Sequence, residues 1–306
     1  IAPVQAAVVI GTSGSTGAPK EIFLSSHALV ASARASNAFV GAKPGDTWSL
    51  LLTLTHVAAV NVFVRAFELG TIPVDLRNHS GEYPRVDFTA IVPTQLFRAL
   101  NGDHDLLKHL QGAKKVLVGG AALPQALHNQ ATAAGITIVT TYGMSETSGG
   151  CVYNGEVLDG AEVEVRGGSI FIRGKILALE LELVDGWFES NDLGEFVDDK
   201  LVVIGRSDDV IISGGENLSL NNVEKVLNEH FPALQLAAFS VDDAQWGQSL
   251  HIAIVGDADT ETISKVLQSE IGAFAKPKGI HAMDSLPLLG IGKVDRKRLA
   301  QVIPNE

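Results

Sequence analysis

The chain of 306 residues carries 23 Lys and Arg against 35 Asp and Glu, a net charge of −12, with 46% hydrophobic and 6% aromatic residues and 31 glycines. That length suits two domains with real cores, and the acidic balance argues against a nucleic-acid partner, whose backbone demands a basic surface. One cysteine, Cys151, fits a reducing compartment; no apolar run is long enough to span a bilayer, so a soluble, cytoplasmic protein is expected.

In chain order, "AAVVI" (6–10) reads as a strand that leads into "GTSGSTGAPK" (11–20), a loop of small, hydroxyl-bearing residues closed by a lysine. Such a loop after a strand suits phosphate, yet it is not a P-loop. Gly17 is separated from Lys20 by Ala18 and Pro19, and Glu21 stands where a magnesium-binding hydroxyl belongs. A helical pattern follows over 26–39, opened by a serine cap. "TWSLLLTL" (47–54) reads as a buried strand, and 57–69 as a helix stopped by Gly70 in a left-handed cap. "FTAIV", "KKVLV" and "ITIVT" are three more short apolar strands, with a helix over 123–135 between the last two. The order predicts a doubly wound α/β sheet with functional loops at the carboxyl ends of its strands.

From about Cys151 the pattern changes to short alternating strands, "AEVEV", "SIFI", "ALELEL" and "KLVVIG", which predict a small β-subdomain. After Arg206 an α+β tail begins, with helices over 220–230 and 260–271 and strands at "LAAFSV" and "LHIAIV". The expected boundary is "GRSDD" (205–209). Cys151 itself reads as a small packing residue in preference to a catalytic thiol. The nine histidines show no metal-ligand spacing.

Five stretches in order give the chain a family. The loop at 12–20, "GGAALP" (119–124), "TYGMSET" (141–147), "NDLG" with "GRSDDVIISGGEN" (191–217) and "GIGKVDR" (290–296) together resemble the adenylate-forming enzymes: acyl-CoA synthetases, peptide-synthetase adenylation domains and luciferases. Glu21 departs from the glycine that usually ends the first motif, and Asn191 from the residue usual before Asp192. The chemistry fits such a site. A carboxylate is a poor electrophile until it attacks the α-phosphorus of ATP and becomes an acyl-adenylate with AMP as leaving group. That step needs a pyrophosphate cradle, a magnesium ion, a nucleoside pocket and a cation for charge developing at the α-phosphate.

The resemblance implies ATP, Mg2+ and coenzyme A, a small-molecule carboxylic acid as substrate, and neither nucleic acid nor membrane as partner; homo-oligomerisation stays open. It implies an adenylation domain over 1–205, with its upstream part absent or reduced, and a mobile C-terminal domain over 206–306. It places Thr12, Ser13, Gly14, Ser15, Thr16, Gly17 and Lys20 around the phosphates, and Gly119, Gly120 and Ala121 where backbone meets adenine. Tyr142 would stack on the ring, with Gly143 in the same motif; Ser145 would contact the α-phosphate and Glu146 would ligate magnesium. Asp192 and Arg206 would hold the ribose hydroxyls. Lys293 would bridge carboxylate and α-phosphate during adenylation. Asp208 matches a hinge, and Gly214 and Gly215 would line a pantetheine tunnel after the tail domain rotates. His56 resembles a histidine beside the acyl pocket, and Gln95, at the "VPTQL" helix start, is a second candidate there.

Within the superfamily, "AIVPTQL", "TYGMSETSGGCVY" and "GRSDDVIISGGEN" are most similar to the bacterial branch that joins o-succinylbenzoate to coenzyme A in menaquinone synthesis. Another acyl- or aryl-CoA ligase, a domain loading a carrier protein, and a non-catalytic nucleotide-binding relative are the alternatives.

Overall fold

The first apolar run becomes one arm of an antiparallel hairpin, β1 (Ala6–Ser13) with β2 (Pro19–Ser25), paired from Ala6 opposite Ser25 to Ser13 opposite Pro19 with one register shift between Ala6 and Val8. The computed structural model describes residues 3–13, 19–213, 215–243, 247–289 and 294–302, with the backbone alone of Ser13, Pro19 and Asp208. β2 was not expected; it runs straight into α1 (Ser26–Val40), whose N-cap Ser25 accepts from Ala28 N at 3.1 Å and whose end is closed by Gly41 at φ 73°.

The chain then alternates through β3 (Trp48–Leu50), α2 (Val57–Glu68), β4 (Val74–Asp75), β5 (Phe88–Ile91), α3 (Pro93–Leu100), α4 (His104–Gly112), β6 (Lys115–Val118), α5 (Gln125–Ala133), β7 (Ile138–Met144), β8 (Gly149–Tyr153) and β9 (Glu156–Val157). The sheet order is β4-β3-β5-β6-β7-β8-β9, parallel from β4 to β7 and antiparallel beyond. Alternation along the strands sorts the faces. Trp48, Leu50, Phe88, Ala90, Leu117, Val139 and Tyr153 form one core with Ala59, Val62 and Ala66 of α2 and Ala35 and Val40 of α1. Ser49 points the other way, with its Oγ 2.7 Å from Thr89 Oγ1 and 3.0 Å from Nε2 of His109 on α4. Helices on both faces make the sheet doubly wound, as the alternation predicts. The strand expected over 47–54 is only three residues long, because beyond Leu50 the Leu51 carbonyl leaves the ladder for the Gln95 side chain.

The β-subdomain is a four-stranded sheet, β10 (Ala161–Arg166), β11 (Ser169–Gly174), β12 (Phe188–Val197) and β13 (Lys200–Arg206), in that order. "ALELEL" is not among its strands, despite its alternation. Its Leu179 makes an isolated bridge to Phe23 and no ladder. β12 takes the place in the sheet, built from a polar stretch with no alternating signal.

The chain divides into two compact units: Ile1–Leu123, His128–Ser190 and Gly194–Val202 in one, Pro124–Leu127, Asn191–Leu193 and Val203–Glu306 in the other. The second continues with β14 (Val210–Ser213), β15 (Glu216–Ser219), α6 (Leu220–His230), β16 (Gln235–Asp243), β17 (Gly247–Val255), α7 (Thr260–Glu270), β18 (Gly279–Ala282) and α8 (Arg296–Val302). Its sheet runs β15-β14-β17-β16, with β18 parallel to β17. Val223 and Leu227 of α6 and Ile263 and Leu267 of α7 pack on Leu250, Ile252 and Ile254, while Leu299 of α8 meets Phe239 and Ala253.

Candidate functional site

The β1–β2 hairpin presents the first motif. Thr12 faces Lys20, and its hydroxyl donates to the Lys20 carbonyl at 3.2 Å, closing the ends of the segment between the strands. Gly14, Ser15, Thr16 and Gly17 lie outside the described residues, as does the side chain of Ser13.

The next two motifs sit at the carboxyl ends of the neighbouring parallel strands β6 and β7, which are in register at Val118 and Thr140. Gly119 donates its N–H to the Ile91 carbonyl at 3.2 Å, and a side chain there would meet Thr141 Oγ1 at 2.0 Å. Gly120 has φ +82°, a conformation that favours glycine, and Ala121 is exposed. Gly119 and Gly120 thus leave bare backbone next to Thr141, the residue before Tyr142. The Tyr142 ring is half-buried and packs against the cluster of buried Cys151, Val152, Ile170 and Ile172. At Gly143 a Cβ would lie 2.1 Å from the Gly149 carbonyl oxygen, so only glycine lets β7 pass β8 there.

β7 ends in a single tight helical turn, Ser145–Thr147. Met144 N donates to Thr147 Oγ1 at 2.9 Å, the Thr147 hydroxyl donates to the Gly149 carbonyl at 2.7 Å, and Ser148 closes the turn at φ 52°. Ser145 and Glu146 are half-buried on this turn. Two adjacent residues then tie it to the hairpin. Ala178 N donates to the Glu146 carbonyl and Leu179 N to the Phe23 carbonyl, each at 2.8 Å. The "ALELEL" segment is thus a strap between the β1–β2 hairpin and the turn bearing Glu146, a role its pattern did not signal.

His56 is the N-cap residue of α2, half-buried, with no side-chain cap bond of its own. Gln95 opens α3 as a capping residue: its Oε1 accepts from Val92 N and its Nε2 donates to the Leu51 carbonyl, both at 3.1 Å. It lines a polar cleft of about 380 Å³ with Arg77, His79, Tyr83 and Arg98. Arg77 and Arg98 pair there with Asp75 at 2.6 Å and Asp103 at 3.0 Å. Both ends of the Gln95 amide are thus engaged by backbone, and its Nε2 keeps one further N–H.

In the second unit, Asp192 of β12 is buried, and Arg206 at the end of β13 reaches it at 3.5 Å, leaving the guanidinium half-exposed. Ser207 Oγ holds the Asn191 carbonyl at 3.1 Å. Asp208 belongs to the short turn Ser207–Asp209 just beyond; its side chain is outside the described residues. Gly215 has φ +88°, and Gly214 and Lys293 lie outside the described residues.

Taken one at a time, the motifs missed a charged cluster beside this turn. Arg296 donates to Asp209 at 2.8 Å, to Glu224 at 2.9 Å and to Asn221 Oδ1 at 3.2 Å, while Asn221 Nδ2 donates back to Asp209 at 3.0 Å. Glu224 also accepts from Ala238 N at 2.9 Å. Burial pushes the Glu224 carboxyl above its usual range, against the pull of Arg296. The signal was present, because Asp209 and Arg296 are the last residues of "GRSDD" and "GIGKVDR". Among the described residues no group of three His, Cys, Asp or Glu side chains is gathered for a metal, and no helix is long and apolar enough to cross a membrane.

Comparison with known proteins adds an independent finding. A family model described as AMP-binding enzyme matches residues 1–187, and one described as AMP-binding enzyme C-terminal domain matches residues 222–293. The chain is similar to a Mycobacterium tuberculosis protein named probable 2-succinylbenzoate–CoA ligase, 37% identical over 329 residues, covering 98% of this chain and 85% of the relative. It is also similar to the 2-succinylbenzoate–CoA ligase of Listeria monocytogenes, 27% identical over 331 residues, covering 97% and 70%. Among solved structures, a variant of E. coli MenE with bound OSB-AMS matches with a TM-score of 0.83 at 25% identity, over 98% of this chain and 69% of that one. ATP-bound MatB from Rhodopseudomonas palustris matches with a TM-score of 0.82 at 22% identity, over 97% and 68%, and shares the fold.

Proposed function

The chain belongs to the AMP-binding enzyme family, and from that premise we propose that it activates 2-succinylbenzoate as its acyl-adenylate and passes the acyl group to coenzyme A. The observation that carries this reading is the strap at Ala178 and Leu179, which joins the Thr12–Lys20 hairpin to the turn bearing Ser145 and Glu146. A phosphate-binding hairpin fixed beside a lone carboxylate is what ATP with one magnesium ion requires. Magnesium is held by one or two carboxylates plus substrate phosphates, not by a cage of protein ligands, and Glu146 fits that pattern. When bound, the ion neutralises charge on the phosphates.

The chain's own residues supply the rest. Bare backbone at Gly119 and Gly120 admits the adenine against Tyr142, and Ser145 donates to the α-phosphate. Asp192 accepts from the ribose hydroxyls, with Arg206 donating beside it. Lys293 holds the charge that develops as the substrate carboxylate attacks. Residues 206–306 then turn about Asp208, bringing Gly214 and Gly215 to the pantetheine arm of coenzyme A.

2-Succinylbenzoate carries a second carboxylate that must be recognised without reacting. A site built to pair a polar group rejects analogues lacking it far more strongly than an apolar pocket sorts methylenes. The test is pyrophosphate release over a panel of acids, followed by thioester formation with coenzyme A. 2-Succinylbenzoate is expected to exceed benzoate and a medium-chain fatty acid by about 10⁴-fold in kcat/KM. Comparable turnover of the fatty acid would refute the substrate and leave the adenylation chemistry standing.

A further inference from the structure

Helix α2 carries two polar residues one turn apart, Asn61 and Arg65, in a run that is otherwise apolar from Val57 to Phe67, and both are buried at 0% and 4% exposure. Spacing of four residues puts them on one face. That face meets α1 and β8 in a buried polar seam: Arg65 Nη2 donates to the Tyr153 hydroxyl at 3.1 Å, which donates to Ser36 Oγ at 2.9 Å, and Asn37 Nδ2 donates to the Arg65 carbonyl at 3.0 Å. Asn61 Nδ2 donates to the Ser148 carbonyl at 2.6 Å. The seam is poorly satisfied among the described residues. Ser32 Oγ, Asn61 Oδ1 and Ser148 Oγ are buried there without a hydrogen-bond partner. Such unpaired groups do not favour the fold, so packing alone does not account for an amide at position 61.

What Asn61 does hold is the turn at the site. Ser148 sits at φ 52°, a conformation unfavourable for a side-chain-bearing residue, and it is the residue that closes Ser145–Thr147. Gly149, at φ +112°, has its Cβ space occupied by the Asn61 amide, 1.9 Å from where a Cβ would stand. The chain therefore passes over Asn61 in one conformation only.

We propose that Asn61 is a positioning residue for nucleotide binding, its buried amide fixing the left-handed turn at Ser148 that aims Ser145 and Glu146. The proposal rests on the reading of that turn as the phosphate and magnesium face of the site. Asn61 touches neither nucleotide nor acid, and its effect reaches the substrate through the turn alone.

The test is steady-state kinetics of the full chain with Asn61→Asp, which keeps the shape and removes the donor, and with Asn61→Leu, which keeps the volume without a second carboxylate. Each should raise KM for MgATP about tenfold, the loss of one buried hydrogen bond, while KM for the acid stays within about twofold. Adding Ser148→Gly to Asn61→Asp should restore most of the MgATP affinity, because glycine takes the positive φ without help. Glu146→Gln measured alongside reports on the reading itself. If it leaves the magnesium dependence unchanged while Asn61→Asp still raises KM for MgATP alone and Ser148→Gly restores it, the role given to Glu146 fails and the positioning role stands through Ser145. A folded Asn61→Asp with normal KM for MgATP, an equal rise in both KM values, or no recovery with Ser148→Gly overturns the proposal.

Discussion

The two units organise their site residues by opposite means. In the first, backbone shape does the work: Gly119, Gly143 and Gly149 lie where a Cβ would meet another atom at 2.0, 2.1 and 1.9 Å, and the strap at Ala178 and Leu179 is made of main-chain bonds. In the second, side-chain pairs do it, with Arg206 on Asp192 and Arg296 on Asp209 and Glu224. The difference suits the chemistry proposed for each. A polyanion brought to an acidic protein is met by local N–H groups that carry no formal charge, whereas a unit proposed to turn as a body would keep its parts together through ion pairs. The first region should therefore be intolerant of added atoms, and the second of removed charges.

The largest expected effect tests the first half of that contrast. Gly143→Ala places a methyl group 2.1 Å from the Gly149 oxygen and 2.6 Å from the Gly150 Cα, both backbone atoms that no side-chain rotation relieves. Forcing β7 from β8 should cost about 3 kcal/mol, the upper end of overpacking, and abolish MgATP-dependent turnover. Thermal melting with a pyrophosphate assay checks both. Normal melting and turnover would show that the strands separate freely and that side chains, not backbone, set the turn.

Next in size is Lys293→Ala, which asks whether the second unit contributes charge to the chemistry. Removing a preorganised cation at a developing negative charge costs about 3 kcal/mol, or ~100-fold in rate. Pyrophosphate release should fall by that much, while preformed acyl-adenylate still goes on to thioester. A variant releasing pyrophosphate at the normal rate would leave the second unit without a catalytic role in the first step.

How much of this was legible beforehand tracks the same division. Caps and parallel strands were readable because they obey local rules. Ser25 caps α1, Gly70 takes φ 73°, and Phe88–Ile91 and Lys115–Val118 are short apolar runs. The motifs located the Gly119 backbone and the Asp192–Arg206 pair, each set by neighbours close in the fold. What escaped were features whose local pattern belongs to something else. "ALELEL" alternates like a strand and is a strap; the polar run of β12 looks like a loop and is a central strand. Asn61 and Arg65 are of residue types that usually face water, yet they are buried.

The ion pairs of the second unit predict a smaller and separable loss. Arg296, Asp209 and Glu224 have side chains 27%, 19% and 23% exposed, so their pairing is little screened. Arg296→Met should destabilise by about 2 kcal/mol, below the cost of a fully buried pair, because two carboxylates lose their partner. Asp192→Asn is the contrast within the same unit. Its 3.5 Å partner Arg206 is half-exposed, so the change should move stability by about 0.5 kcal/mol or less and raise KM for ATP instead. Urea melting of the two variants separates them. Equal losses would mean that Asp192 is held for the fold and not for a ribose.

The smallest effect concerns protons. In the second unit the Ser249 hydroxyl donates to the Val241 carbonyl at 3.2 Å, so it accepts from His251 Nε2, 3.1 Å away. His251 Nδ1 is then bare and accepts from His281 Nε2 at 3.0 Å. Burial lowers the pKa of both imidazoles, and at His251 the neighbouring His281 and Lys278 add to it while Asp243 opposes. A histidine whose folded pKa lies below its unfolded value binds protons sooner when unfolded. Its stabilisation is complete above the usual value of about 6.5 and is lost as pH falls through it. His109 in the first unit, also lowered by burial, acts in the same direction, so wild type alone cannot assign the slope. His281→Gln keeps a donor for His251 Nδ1 and removes one titrating group. The fall in melting temperature between about pH 7.5 and pH 5.5 should be shallower in this variant. An unchanged slope would place the proton sensitivity on the backbone-built first unit, against the division drawn here.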